Sequence, residues 1–253
     1  MAIFSSFSYI EGMKKFLLTR IRLSVYFYLF FGLFMILSFF LPTQKFDSTA
    51  LTLFSVNSFL YGFYIAPILS AQKSRIDELH KIVRSETNAI FSLVLKLKKL
   101  PADLRNNLQE MVTSYIRAEV RASKPGGGEK EYEALISYCL KYKGEHQEQM
   151  DKTLDAFIAN QQNRTNLSMQ MANRVYSNEW LIMFILFGIT LGFILMLDLG
   201  DSMILKLVRA LLCTGLTMLI LILVKLSTLT HKKARQIWTP LKKLVDSSFY
   251  RID

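Results

Sequence analysis

LTLFSVNSFLYGFYIAPILSAQKSRIDELHKIVRSETNAIFSLVLKLKKL, residues 51–100, decides how this chain is built. Its first part, Leu51 to Ser70, is apolar and long enough to cross a bilayer. The second part changes character. There Ile76, Val83, Ile90 and Leu97 fall seven residues apart, and Leu79, Leu93 and Leu100 take the companion positions. That is the a/d pattern of a helix packing into other helices. Glu86 stands where this seam wants a leucine. No glycine and no second proline follows Pro67 before Leu100, so the spacing predicts one long helix, first membrane-spanning and then bundled. Such an element serves to line, or to couple to, something crossing the membrane.

The rest of the chain agrees with a membrane setting. It is 51% hydrophobic with a mean hydropathy of +0.26, and the apolar residues gather in four blocks. These are Ile21–Leu41, Leu51–Ser70, Trp180–Leu197 and Leu207–Val224. The formal charge is +11, but the basic residues flank the apolar blocks and mix with acids. That arrangement fits a cytoplasmic membrane face and argues against nucleic acid as a partner. The first block has a basic flank, yet it is too long for a signal peptide and LPTQ is no small-residue cleavage site. Lys45 and Lys206 fall in the short loops, with Arg209 at the edge of the fourth block, and all other basic residues lie on the opposite side. Both termini and the long middle segment are therefore expected in the cytoplasm. The expected class is all-α: a polytopic membrane protein with four transmembrane helices and a helical cytoplasmic domain. Its parts are 1–71 (an amphipathic opening and two spans), 72–179 (the cytoplasmic domain), 180–227 (two spans) and 228–253 (a basic tail).

Within the middle segment, Pro101 opens a second helix with Leu104, Leu108, Met111 and Tyr115 on one stripe. KPGGGE, residues 124–129, ends it, because three glycines hold a helix poorly. A third helix is expected over Glu131–Lys143. A fourth starts near Glu145 and is expected to run unbroken into the third span, since no Gly or Pro intervenes before Gly188.

On a helical wheel the second span has three faces. Asn57, Tyr61, Tyr64 and Ile68 share one; Ser58, Gly62 and Ala66 make a second, of small residues that let helices approach closely; Val56, Leu60 and Phe63 make a plain lipid-facing third. An asparagine in hydrocarbon needs a partner or water, so the first face is expected to point inward. It lines a pore on one reading; on the other it makes an interhelical hydrogen bond with the tyrosines as packing. Glu86 on its apolar seam calls for a partner, with Arg105, Arg117 and Arg174 as candidates, either as a structural ion pair or as a gating element. Lys206 and Arg209 share a face at the outer end of the fourth span, where they would attract anions at a channel mouth or snorkel to headgroups.

Other signals point away from chemistry. His80, His146 and His231 have no companion ligands at metal spacing, and Cys139 and Cys213 form neither a disulfide framework nor a metal site. No phosphate loop, nucleophile elbow or dinucleotide fingerprint occurs. Asn163-Arg164-Thr165 and Asn166-Leu167-Ser168 match a glycosylation pattern but fall on the expected cytoplasmic side. No enzyme, no cofactor and no metal are expected.

The two-span start, the block IVRSETNAIFSLVLKLKKLPADLRNNLQEMVTSYIRAEV and two later spans together resemble the bacterial bestrophin-like membrane family. The residues that carry the resemblance are Glu86, Leu100, Pro101, Arg105 and Tyr115, with Arg174 further on. LSTLTHKKARQIW departs from it, lacking the proline-and-aromatic ending after the last span. Bestrophins are pentameric chloride channels in which the second span lines a hydrophobic neck above a cytosolic vestibule. The resemblance thus implies a bacterial inner-membrane homo-oligomer, pentameric by analogy, with inorganic ions, chiefly anions, and the lipid bilayer as its partners. It also places Asn57, Tyr61, Tyr64, Ile65 and Ile68 near the pore. Two functions stand: an oligomeric anion channel, and a non-conducting membrane protein whose basic helical domain binds a protein or anionic lipid.

Overall fold

The structure, a computed structural model, describes residues 18–122, 126–198, 200 and 202–247. Most of the amphipathic opening, residues 1–17, lies outside them. The elements in chain order are α1 (Leu23–Phe40), α2 (Ser48–Leu97), α3 (Ala102–Ala122), α4 (Glu129–Lys141), α5 (Gln147–Ala172), α6 (Ser177–Met196), α7 (Met203–Ser227), α8 (Lys232–Arg235) and α9 (Thr239–Asp246). Among the described residues the only strand-like pairing is an isolated bridge between Gln44 and Leu197. The chain divides into two units, Met1–Ser74 with Arg174–Ala234 and Arg75–Asn173 with Arg235–Asp253.

The first unit holds the apolar helices. Four helices are long and apolar enough to cross a membrane. Only 11%, 11%, 17% and 33% of their apolar windows are buried inside the chain, so their surroundings must themselves be apolar. α1 packs against α7 through Phe34, Ala210 and Cys213, joined by Ile194 of α6. Phe193 stacks on Phe46 and Phe54, with ring centroids 4.1 and 4.6 Å apart. Hydroxyls in these helices turn back to their own backbone: Ser38 donates to the Phe34 carbonyl and Thr214 to that of Ala210. A polar group in hydrocarbon has few other partners.

The second unit is a helical bundle around the lower part of α2. Ile76, Leu79, Val83, Glu86, Ile90, Leu93, Leu97 and Leu100 are all buried, so the seven-residue seam is the face that packs. α3 answers with Leu108, Val112, Tyr115 and Ile116, and α4 with Tyr132 and Leu135. The tail is more than a basic extension. α9 lies on α3, burying Leu241 and Leu244 and leaving Lys242 and Lys243 exposed.

The expected unbroken helix from Glu145 into the third span is interrupted. α5 stops at Ala172 and α6 starts at Ser177, where the Glu179 carboxylate accepts the Tyr176 N–H at 2.9 Å. At the end of α5, the Arg75 guanidinium donates to the carbonyls of Gln170 (2.7 Å) and Met171 (2.8 Å). Those carbonyls have no partner within the helix, and Arg75 satisfies them from a distance in sequence.

The glycine turn between α3 and α4 is held tightly. Gly126 has φ +74°, a conformation that side chains disfavour. At Gly128 a Cβ would meet the Tyr115 ring at 2.7 Å and its carbonyl oxygen at 2.8 Å. Gly128→Ala is therefore expected to destabilise the bundle by about 1–3 kcal/mol, the scale of overpacking. Thermal melts should show a clear drop against Gly188→Ala, where a Cβ has open space. Equal melting temperatures would contradict the tight turn.

Candidate functional site

On the second span, burial is one-sided. Tyr61 is 3% exposed and Ile65 4%, and both sit in a cluster with Val175, Met183, Ile220 and Leu223. Tyr64 and Ile68 pack against the same cluster. Asn57 donates to Thr190 Oγ1 at 2.8 Å and to the Leu186 carbonyl at 3.2 Å, while Thr190 in turn donates to Leu186. So Asn57, Tyr61, Tyr64, Ile65 and Ile68, expected near a pore, make the face that joins the second span to the third and fourth. A face filled this way has no room for water or ions inside one protomer. Of the two readings of Asn57, the interhelical hydrogen bond is the one observed.

The uncovered face is the opposite one. Phe59 and Phe63 are each 70% exposed, their rings 6.1 Å apart and close to parallel, and Val56, Leu60, Gly62 and Ala66 are exposed around them. Pro67 lies within the helix and has no N–H to give to the carbonyl of Phe63.

The charges near the loop between α6 and α7 are placed differently from one another. Lys206 Nζ stands 4.9 Å from the centroid of the Phe39 ring. Arg209 is only 1% exposed, and its Nη2 donates to the Leu197 carbonyl at 2.5 Å. Its Nε and Nη1 are buried without hydrogen-bond partners. Arg209 is thus no open mouth charge in this protomer; it anchors the end of α6. Lys225 was not legible as a site. Its ammonium donates to the Ile21 carbonyl at 2.9 Å and lies 5.0 Å from the Tyr26 ring centroid.

In the bundle, Glu86 is completely buried. The Tyr115 hydroxyl donates to its Oε1 in a short hydrogen bond, and Oε2 has no partner. None of the three arginines named from sequence pairs with it. Arg117 and Arg174 are exposed, and Arg105 is half-buried with its Nε lacking a hydrogen bond. The guanidinium whose charge acts on Glu86 is Arg164 of α5, which sequence reasoning missed. Arg164 lies over the Tyr132 ring at 3.9 Å and the Tyr115 ring at 5.5 Å. It is already bonded to the Glu129 carboxylate and to Gln161. Glu119 accepts the Gly128 N–H at 2.8 Å, which ties the glycine turn to the cluster.

The charges do not balance. Three carboxylates, Glu86, Glu119 and Glu129, share one guanidinium. Burial pushes the Glu86 carboxyl up to about 6, although the Tyr115 hydrogen bond works against that, and burial raises Glu119 as well. The phenol of Tyr115 moves well above its usual range, again through burial and then through the neighbouring Glu86. This arrangement lets a buried carboxyl keep its proton at a higher pH than an exposed one would, up to about pH 6. It offers no nucleophile with an adjacent base.

A family model described as the bestrophin-like domain matches residues 25–231. No curated protein and no solved structure matches the chain.

Proposed function

The chain belongs to the bestrophin-like family, and from that premise we propose that it is an oligomeric, anion-conducting channel of a bacterial inner membrane. The observation that carries this reading is the uncovered aromatic face of the second span. One side of α2 is packed by its own protomer, whereas Phe59 and Phe63 on the other side are left open. In a homo-oligomer, pentameric by family analogy, those faces would converge around a shared axis. A ring of phenylalanines makes a narrow neck that gates by dewetting. The Phe63 carbonyl released by Pro67 would then find water, which lipid does not supply. The pore-facing role expected of the Asn57 face passes, in this reading, to Phe59, Phe63 and Ala66, with Asn57 and Tyr61 holding the span from behind. The bundle and both termini lie in the cytoplasm, following the distribution of Lys and Arg.

Recording purified protein in planar bilayers under asymmetric potassium chloride tests this. The expected result is a current whose reversal potential moves toward that of chloride. No current, with protein confirmed in the bilayer, would sink the channel reading and favour a partner-binding membrane protein.

A further inference from the structure

A cavity of about 260 Å³ opens in the helical bundle beside the glycine turn. Glu119 from the end of α3, Glu129 from the start of α4, and Gln161, Arg164, Thr165 and Ser168 from α5 line it. A Cβ on Gly126 would meet nothing nearer than Glu129 Oε2 at 3.8 Å, so the turn leaves this space open. The two tripeptides that match a glycosylation pattern supply much of the α5 wall, Arg164 and Thr165 from the first and Ser168 from the second. Nothing in the channel reading uses this cavity.

Its charges leave a cation missing. Among the described residues that line it, Arg164 is the one positive group, set against two carboxylates. That guanidinium is committed: one terminal nitrogen bonds to Glu129, the other to Gln161, and its face lies on the Tyr132 ring. It has little left to offer an anion. Glu119 is different. It is only 2% exposed, and it accepts the N–H groups of Gly128 and Gly126. A carboxylate has about four acceptor positions, so those two N–H groups leave room for further donors. Burial makes its ionised form costly, and a cation in the cavity offsets that cost. Water fills many clefts of this size, but water does not neutralise a buried carboxylate. We propose that this cavity binds a small organic ammonium compound, its N–H donors held by Glu119 and its remaining polar groups by the Thr165 and Ser168 hydroxyls. Sites for drug-sized ligands run to about 300–1,000 Å³, so the occupant here is smaller, a primary amine on a short polar chain. A metal ion fits less well: among the described residues no group of three His, Cys, Asp or Glu is placed to hold one.

Isothermal titration calorimetry on the detergent-purified full chain tests this, with aminobutanol as the ligand and butanediol as its uncharged counterpart. Wild type should bind the amine at millimolar concentration and ignore the diol. Glu119→Gln, which still accepts from the turn through its amide oxygen, should weaken binding about tenfold or more, the scale of one hydrogen bond to a charged group. Ser168→Phe puts a ring at the exposed rim and should weaken binding as much, with the melting temperature of the free protein unchanged. Glu148→Gln removes an exposed carboxylate elsewhere on α5 and should match wild type. Should Glu119→Gln melt early, Ser168→Phe decides alone. Four results would each overturn the proposal: no binding of the amine by wild type, equal binding of the diol, binding of calcium ions without the amine, or amine binding that survives the deciding variant. None of them touches the channel reading, which current recordings decide.

Discussion

Glu86→Lys is expected to lower the melting temperature further than any other single substitution in the bundle. The position is completely buried, and the Tyr115 hydroxyl donates to the carboxylate there. An ammonium there would face a donor it cannot accept from, with Arg164 already acting on the site as a like charge. Leaving a buried charge uncompensated costs about 3–5 kcal/mol, a large share of what holds a bundle of this size together. Glu86→Gln should be far milder, since the amide oxygen still accepts from Tyr115.

The same pair separates charge from shape. In the folded state the Glu86 carboxyl sits at about 6, raised from an ordinary 4.5. The folded state therefore binds this proton more tightly than the unfolded one. Its contribution is fully present below about pH 4.5 and is lost as pH rises through 6, a change of about 2 kcal/mol across that window. Glu119 is shifted in the same direction and adds to the slope. Melts recorded from acid to neutral pH should show wild type losing stability through this range, and Glu86→Gln losing less. Parallel curves for the two proteins would mean that the Glu86 carboxyl titrates alike in the folded and unfolded states.

The seam that includes Glu86 was legible in sequence because a heptad is a geometric statement. Ile76, Leu79, Val83, Ile90, Leu93 and Leu97 recur where only one helix face can be, and that face is the buried one. The four apolar helices were equally plain, since length and composition suffice to find them. Partners were another matter. Arg164 lies in the polar run QQNRTN, where nothing local distinguishes it from its neighbours, and only the packing of α5 brings it over two tyrosine rings. The break before the third span was hidden for the same reason. Its sequence has no Gly or Pro, and the carbonyls it exposes are satisfied by Arg75, almost a hundred residues earlier. In the second span periodicity grouped residues that do share one face, but their polarity did not reveal that this face is packed within the protomer. Asn57 and Tyr61 looked wet because they are polar, whereas Asn57 bonds to Thr190 and Tyr61 is packed away. Phe59 and Phe63 looked like lipid contacts because they are apolar, which is also what a dewetting neck requires.

The proposed pore face at Phe59 and Phe63 gives the other large effect. Phe63→Ala and Phe59→Ala should raise the current several-fold, because each removes a ring from the narrowest part of the proposed neck. Tyr61→Ala should act on stability instead, costing about 3 kcal/mol or more as a cavity beside Met183 and Leu223.

Cysteine accessibility tests the pore face most directly. Both native cysteines, Cys139 and Cys213, are buried, so wild type provides a quiet background. Phe59→Cys, Phe63→Cys and Tyr61→Cys would be recorded in bilayers while a charged, water-soluble thiol reagent is added. The account predicts a rapid change in current at positions 59 and 63 and none at 61. Modification at 61 with no effect at 59 or 63 would contradict it and return the path to the Asn57 face.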